Sequence, residues 1–190
     1  MHQNRPLQVA MIIGSTREGR FAPIVADWFA KEARRRGDMV IDVVDLAEAR
    51  LPDVLGGDAP QLPSVSQRLA AAEAFVVVTP EYNHSFPAPL KTAIDWHSKE
   101  WNAKPVAFVS YGGISGGLRA VEQLRQVFAE LHAVTVRDTV SFHGAWAQFE
   151  PDGKPKEAVR YERVAQAMLR QLAWWGTALR DAREKQPYLT

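Results

Sequence analysis

Short apolar runs alternate along the chain with longer stretches in which apolar residues recur every three or four positions. Five runs are rich in β-branched residues and are bounded by glycine, proline, aspartate or serine, which predicts strands. They are Leu7–Ile13, Val40–Asp45, Ala74–Thr79, Pro105–Tyr111 and Val134–Val140. The helical period predicts helices at Ala22–Arg36, Ser64–Ala72, Pro87–Ser98, Gly117–Leu131 and Glu157–Arg183. Loops are predicted at Leu51–Pro63 and Trp146–Pro155.

Five repeats of a strand followed by a helix indicate an α/β domain with a parallel sheet. The central runs are apolar almost throughout, as in strands that are covered by helices on both faces. Five strands in a domain of this size fit the flavodoxin-like order 2-1-3-4-5. The sequence therefore predicts a single three-layer α/β/α domain over residues 1–190, with a five-stranded parallel sheet in the middle.

Composition removes several classes of function. The 190 residues are 46% apolar and include no cysteine, which excludes disulfides, thiolate metal sites and a thiol nucleophile. The 23 basic and 22 acidic residues nearly cancel, which argues against a nucleic-acid partner. No apolar run approaches the roughly 20 residues of a membrane span, and no histidine pair has metal-ligand spacing. We expect a cytoplasmic protein without a signal peptide, a membrane contact or a bound metal.

The turn after the first strand, residues 14–21, has the composition of an anion site and is called the phosphate loop below. In a doubly wound sheet, ligands bind at the carboxyl ends of the strands, and the unpaired N–H groups of a helix start accept anions. Ser15 and Thr16 add hydroxyl donors, and Arg17 and Arg20 add charges that can bind a terminal phosphate. The alternative is a capped helix start with two solvated arginines.

Two better-known phosphate-binding motifs fit this turn poorly. The dinucleotide motif G-x-G-x-x-G is absent, and the P-loop motif is matched only by the spacing of Gly14 and Gly19. Arg20 stands where the P-loop needs lysine, and Phe21 stands where it needs the residue that binds magnesium. An ATPase is therefore disfavoured.

The turn after the third strand combines polar and aromatic side chains with three prolines within residues 80–89. Such a stiff turn suits the wall of a pocket for a flat, polar ring. The alternative is a rigid turn in which Tyr82 and Phe86 pack into the core, and for Phe86 we favour that interpretation. The glycine-rich turn after the fourth strand, residues 112–117, allows the backbone to approach a planar ligand closely.

Two of these segments resemble a known family. Residues 80–96 resemble the signature P-E-Y-N-x-S-x-P-x-x-L-K-N-A-I-D-W of the NADPH-dependent FMN reductases, which are flavodoxin-like, and depart from it only at Thr92. The start of the phosphate loop, G-S-T-R, resembles the phosphate loop of the same family. Arg20 and Ala22 stand where that family commonly has serine and asparagine.

The resemblance implies a bound FMN, with Ser15 and Arg17 holding its phosphate and Pro80–Asn83 lining its isoalloxazine, largely through backbone atoms. The turn after the fourth strand would flank the far side of the flavin. The cofactor-binding residues expected on this basis are Ser15, Thr16, Arg17, Arg20, Phe21, Pro80, Glu81, Tyr82, Asn83, Ser85, Ser110, Gly112 and Gly113. No side chain needs to act as a general acid or base, so none is assigned as catalytic.

The same resemblance implies an oxidoreductase that takes two electrons from NADPH or NADH and passes them to a second substrate in a ping-pong sequence. Acceptors of suitable chemistry are quinones, azo and nitro compounds, metal oxyanions and free flavins. The family usually forms homodimers or tetramers through the flavin side. That arrangement would place Trp96, His97 and Trp101 at the contact between subunits.

Two other functions stay open. A flavodoxin-type electron carrier would share the fold, but carriers are typically acidic and this chain is not. Gly113–Gly117 also matches the G-x-S-x-G turn of serine hydrolases, with Ser115, Asp138 and His143 in the required chain order. Asp138 and His143 lie only five residues apart, whereas triad members usually come from separate loops, so the hydrolase is disfavoured.

Overall fold

The computed structural model describes residues 5–188, and its centre is a five-stranded sheet in which every neighbouring pair is parallel. The strands are β1 (Leu7–Ile13), β2 (Met39–Asp45), β3 (Ala74–Pro80), β4 (Pro105–Gly112) and β5 (Val134–His143). Their order is β2-β1-β3-β4-β5, which confirms the predicted topology. β1, β3 and β4 are therefore neighbours, and their carboxyl ends lie along the same edge of the sheet.

Six α-helices connect or follow these strands within residues 5–188. They are α1 (Ala22–Arg34), α2 (Leu46–Ala49), α3 (Leu62–Ala71), α4 (Ala88–Asp95), α5 (Leu118–Glu130) and α6 (Ala158–Lys185). The sequence pattern does not predict α2, which begins where the Asp45 side chain accepts a hydrogen bond from the N–H of Ala47 at 3.0 Å. In the part of the chain that the structure describes, no helix combines the length and the apolar composition that crossing a membrane requires.

The core occupies both faces of the sheet because successive side chains of a strand point to opposite sides. Along β1, Val9 and Met11 pack on the face that α1 and α6 cover, whereas Ala10 and Ile12 pack on the face that α3, α4 and α5 cover. β3 and β4 alternate in the same way, and every residue of both strands is buried. The continuous apolar runs of these strands thus reflect helices on both sides, as predicted.

The segment after α4 differs from expectation. His97 and Trp101 are only 2% and 0% exposed. The Trp101 ring packs on Phe75 and Phe128, with centroid distances of 4.6 and 5.3 Å, and Nδ1 of His97 donates to the backbone oxygen of Ala93 at 2.7 Å. The expectation that both residues lie at a contact between subunits is therefore wrong, because a short 3-10 turn packs Trp101 into the core beside α3 instead.

Candidate active site

Three turns meet at the carboxyl edge of the central strands. They are the phosphate loop, the β3 turn (residues 81–87) and the β4 turn (residues 113–117). Backbone hydrogen bonds join their starting points: the N–H of Gly14 donates to β3 at 2.9 Å, and the N–H of Glu81 donates to the oxygen of Tyr111 at 3.1 Å. The structure thus brings together the turns that carry the sequence motifs.

Two adjoining cavities lie between these turns, with volumes of about 330 and 490 Å³, within the usual range for ligand sites. The first is lined by Arg17, Glu18, Gly19, Arg20, Phe21, Pro80, Glu81, Tyr82, Tyr111, Gly112 and Trp146. The second is lined by Thr16, Arg17, Glu81, Tyr82, Asn83, Pro87 and Pro89. Arg17, Glu81 and Tyr82 line both cavities, so the two together form one groove, called the groove below.

Arg17 and the start of α1 supply uncompensated positive charge to the groove. Arg17 is exposed and has no side-chain hydrogen bond or ion pair with any residue that the structure describes. Phe21 precedes α1 without forming a side-chain cap; Pro23 has no N–H, and the N–H of Ile24 donates to the oxygen of Phe21 at 3.2 Å, so the helix start adds its positive end but few free N–H groups. A guanidinium beside a helix start is an arrangement that binds phosphate.

Arg20 is bound within the protein. Its two terminal nitrogens bind the two carboxylate oxygens of Asp45, the last residue of β2, and Nη1 also donates to the backbone oxygen of Ser15 at 2.7 Å. The hydrogen bonds to Asp45 hold the pKa of Arg20 above its ordinary value. Arg20 lines the first cavity, but its charge is compensated, and its contacts fasten the phosphate loop to β2.

Three of the expected site serines hold the turns together and do not line the groove. The hydroxyl of Ser15 lies 2.8 Å from the hydroxyl of Tyr82, which joins the phosphate loop to the β3 turn. Ser110 donates to a backbone oxygen of the β4 turn at 2.8 Å, and Ser85 donates to a side chain of α5. Gly113 also lies outside the lining of the two cavities, whereas the other nine expected residues line them.

Glu81 joins the β3 turn to the start of α5. Its carboxylate accepts hydrogen bonds from the hydroxyl of Ser115 and from the backbone N–H of Arg119 at 3.2 Å, and it pairs with the Arg119 guanidinium at 3.2 Å. Burial raises the pKa of Glu81, but these bonds outweigh burial and hold the pKa below its ordinary value. Glu81 is therefore a charged tether at neutral pH.

These contacts do not support a hydrolase site at Ser115. A triad needs one hydrogen bond from serine to histidine and another from histidine to the carboxylate. Instead, the Ser115 hydroxyl donates to Glu81, Nδ1 of His143 donates to the backbone oxygen before Ser115 at 3.0 Å, and Asp138 pairs with the arginine beside it. Among the described contacts, none joins Ser115, Asp138 and His143 to one another.

Tyr111 and Trp146 line the first cavity although neither is among the expected site residues. Tyr111 belongs to the apolar run of β4, where the pattern indicates a core residue, and it is 3% exposed. Trp146 is 65% exposed and lies on a 3-10 turn after β5. This turn is held against the β4 turn by a hydrogen bond from the N–H of Gly144 to the backbone oxygen of Gly113 at 2.8 Å. No local motif marks either residue, since their place at the groove depends on the pairing of β4 with β5.

Comparison with known families agrees with this geometry. The model of the family described as NADPH-dependent FMN reductase matches residues 7–147. The chain belongs to this family. The matched region of this FMN reductase family includes the phosphate loop, the β3 turn and the β4 turn, which together form the groove.

Relatives in the FMN reductase family align over much of the chain. It is 35% identical over 133 residues to the NAD(P)H-dependent FMN reductase of Schizosaccharomyces pombe, over 63% of this chain and 64% of that protein. The chain thus spans just under two thirds of that relative. It is 33% identical over 162 residues to a quinone reductase of Escherichia coli K12, over 80% of this chain and 85% of that protein.

A solved structure shows the same fold. FerB from Paracoccus denitrificans, described as a flavoenzyme NAD(P)H:(acceptor) oxidoreductase, superposes with a TM-score of 0.72. The superposition covers 90% of this chain and 98% of that chain at 22% identity. The likeness therefore concerns the fold.

Proposed function

We propose that the protein binds FMN in the groove and carries two electrons from NADPH or NADH to a quinone-type acceptor. The main support for this proposal is the composition of the groove. The three turns covered by the family match form a groove that has an unpaired arginine and a helix start on the phosphate loop and a stiff, aromatic turn beside them. Relatives named FMN reductase and quinone reductase support the same chemistry.

The residues fit the chemical parts of FMN. Arg17 matches a phosphate dianion, because its guanidinium has no acceptor among the described residues and lies beside the positive end of α1. Pro80–Asn83 and Gly112 would border the isoalloxazine, and Gly113 has open space where another residue would place a side chain. When bound, FMN supplies the redox chemistry, accepting a hydride and returning two electrons.

The chain itself binds and orients the reactants and supplies no acid or base. Two of the four charged side chains that line the first cavity are already paired within the protein: Glu81 with Arg119, and Arg20 with Asp45. The first pair fastens the β3 turn to the start of α5, and the second fastens the phosphate loop to the end of β2. That no side chain is catalytic stays a prediction from the sequence.

A ping-pong order is part of the proposal, because the reductant and the acceptor would use the same groove in turn. The acceptor would be a quinone, an azo or nitro compound, a metal oxyanion or a free flavin. A single FMN-binding domain over residues 1–190, a cytoplasmic location and assembly as a homodimer or tetramer stay predictions from the sequence.

The proposal is tested by mixing the purified protein with FMN and then with NADPH or NADH in the absence of oxygen. Loss of the visible flavin absorbance within seconds, followed by its return when a quinone is added, is the expected result. Parallel lines in double-reciprocal plots of initial rates would support the ping-pong order, and intersecting lines would contradict it. Bound FMN that is never reduced would indicate an electron carrier, and the absence of FMN binding would overturn the proposal.

A further inference from the structure

Tyr111 lies beneath the phosphate loop at the end of β4. Its ring centroid is 6.1 Å from that of Phe21, the residue directly before the first residue of α1. Tyr111 is 3% exposed, and it lines the first cavity together with most of the phosphate loop. A core residue of β4 therefore reaches the part of the groove where positive charge is concentrated.

The Tyr111 hydroxyl is buried and has no hydrogen-bond partner among the residues that the structure describes. Buried polar groups are nearly always paired, because an unpaired one loses its bonds to water without replacement. The neighbouring hydroxyls of Ser15 and Tyr82 are bonded to each other at 2.8 Å. The Ser15 hydroxyl also lies close enough to Tyr111 to oppose the rise of its pKa, but no hydrogen bond of ordinary geometry joins the two, so the Tyr111 hydroxyl lies beside the start of the phosphate loop with its donor unused.

We propose that the Tyr111 hydroxyl donates a hydrogen bond to a terminal phosphate oxygen of the nucleotide bound in the groove. The proposal rests on the FMN site proposed above and adds a residue that no motif assigns to it. The contact with Phe21 places Tyr111 against the start of α1, which is the part of the groove suited to the phosphate. Burial raises the pKa of Tyr111, so its hydroxyl stays a proton donor at neutral pH.

This assignment predicts opposite effects on the free and the bound protein. Without ligand, the hydroxyl adds the cost of a buried, unpaired polar group, so its removal should leave stability unchanged or higher. With ligand, the same hydroxyl would bond to a charged oxygen, which is a strong type of hydrogen bond. Its removal should then weaken binding of a phosphorylated flavin only.

The test compares Tyr111→Phe with the wild-type protein in calorimetric titrations with FMN and with riboflavin, which lacks the phosphate. The matched control is Tyr161→Phe: Tyr161 is also buried, stacks on Phe142 at 4.2 Å and does not line either cavity of the groove. We expect the Kd of Tyr111→Phe for FMN to rise about tenfold. Its Kd for riboflavin and the Kd values of the control should not change, and its melting temperature without ligand should not fall.

Other results would overturn the inference. Equal losses of affinity for FMN and riboflavin would place the hydroxyl away from the phosphate, and unchanged affinity for FMN would remove it from the site. Both results leave the proposed function intact, because the wild-type protein binds FMN in both cases. Failure of the wild-type protein to bind FMN would instead contradict the proposed function itself.

Discussion

Both terminal nitrogens of Arg20 bind the carboxylate of Asp45. Asp45 ends β2 and is paired in register with Ile13 at the end of β1, so the ion pair joins the phosphate loop, which follows β1, to the end of the neighbouring strand. Side-chain exposure is 17% for Arg20 and 12% for Asp45. The arginine whose charge is open to a ligand is therefore Arg17, while Arg20 holds the loop that presents it.

Replacing Asp45 by asparagine should destabilise the protein by about 2–3 kcal/mol, because it leaves the Arg20 charge partly buried without its partner. Asparagine still caps α2, so the change isolates the ion pair. The control is Asp42→Asn, which breaks a similar pair with Arg68 whose side chains are 48% and 36% exposed. That variant should lose at most about 1 kcal/mol. Urea unfolding measures the free energy of unfolding of both variants. Equal losses of stability in the two would contradict the prediction.

Arg17→Ala should weaken FMN binding by about 1.5–3 kcal/mol, since a charge-assisted hydrogen bond to the phosphate is lost. The free energy of unfolding should not change, because Arg17 has no partner among the described residues. Arg17→Lys keeps the charge but cannot form the bidentate hydrogen bonds of a guanidinium. Its affinity for FMN should therefore lie between that of the wild-type protein and that of Arg17→Ala. Calorimetric titration with FMN provides the measurement. Unchanged affinity in Arg17→Ala would remove this residue from the phosphate site.

The fold could be predicted because its signals are local. The runs of β1, β3 and β4 are apolar and separated by helical stretches, and that alternation suffices for a parallel sheet covered on both faces. The expectation that Trp101 lies at a contact between subunits was wrong, because no element was predicted between the end of α4 at Asp95 and the start of β4. The 3-10 turn that follows α4 turns this tryptophan toward Phe75, and no periodic pattern marks so short an element.

The site was predictable where its residues lie within one turn. Arg17 is marked by its position between a strand and a helix, and the β3 turn by its prolines. Two features were beyond reach of local patterns. Asp45 lies 25 positions from Arg20, and the place of Tyr111 beside the first cavity depends on the pairing of β4 with β3. Both features depend on which strands are paired and in which register, and the periodicity of the sequence alone does not determine this.

Gly117→Ala should destabilise the protein by about 2–4 kcal/mol. Gly117 has φ = +87°, and an added Cβ would lie 2.6 Å from Cβ of Ser110 and 2.9 Å from the backbone nitrogen of Tyr111. Gly113→Ala is the control, because its Cβ would meet nothing within 4 Å. It should change the free energy of unfolding by no more than about 0.5 kcal/mol. Urea unfolding compares the two, and a tolerated alanine at position 117 would show that the start of α5 can move away from β4.

Lys104 should make stability depend on pH in the alkaline range. It is 8% exposed, and Nζ donates to the backbone oxygens of Leu69 and Ala70 at 3.2 and 3.1 Å. Burial lowers the pKa of Lys104 to about 8 from an ordinary value of 10.5. Between these values the unfolded chain holds a proton that the folded protein has released. Stability should therefore rise with pH across this interval, by at most about 3.5 kcal/mol.

Below a pH of about 8 the side chain is charged in both states, so its contribution no longer changes with pH. Lys104→Met keeps an unbranched side chain near the ring of Phe75, over which Nζ lies at 5.5 Å, and cannot titrate. Urea unfolding at several pH values should show a smaller rise for Lys104→Met than for the wild-type protein. Lys91→Met, which removes a 46% exposed lysine, should keep the wild-type rise. If Lys104→Met instead follows the wild-type curve, Lys104 carries its proton in the folded state throughout this range.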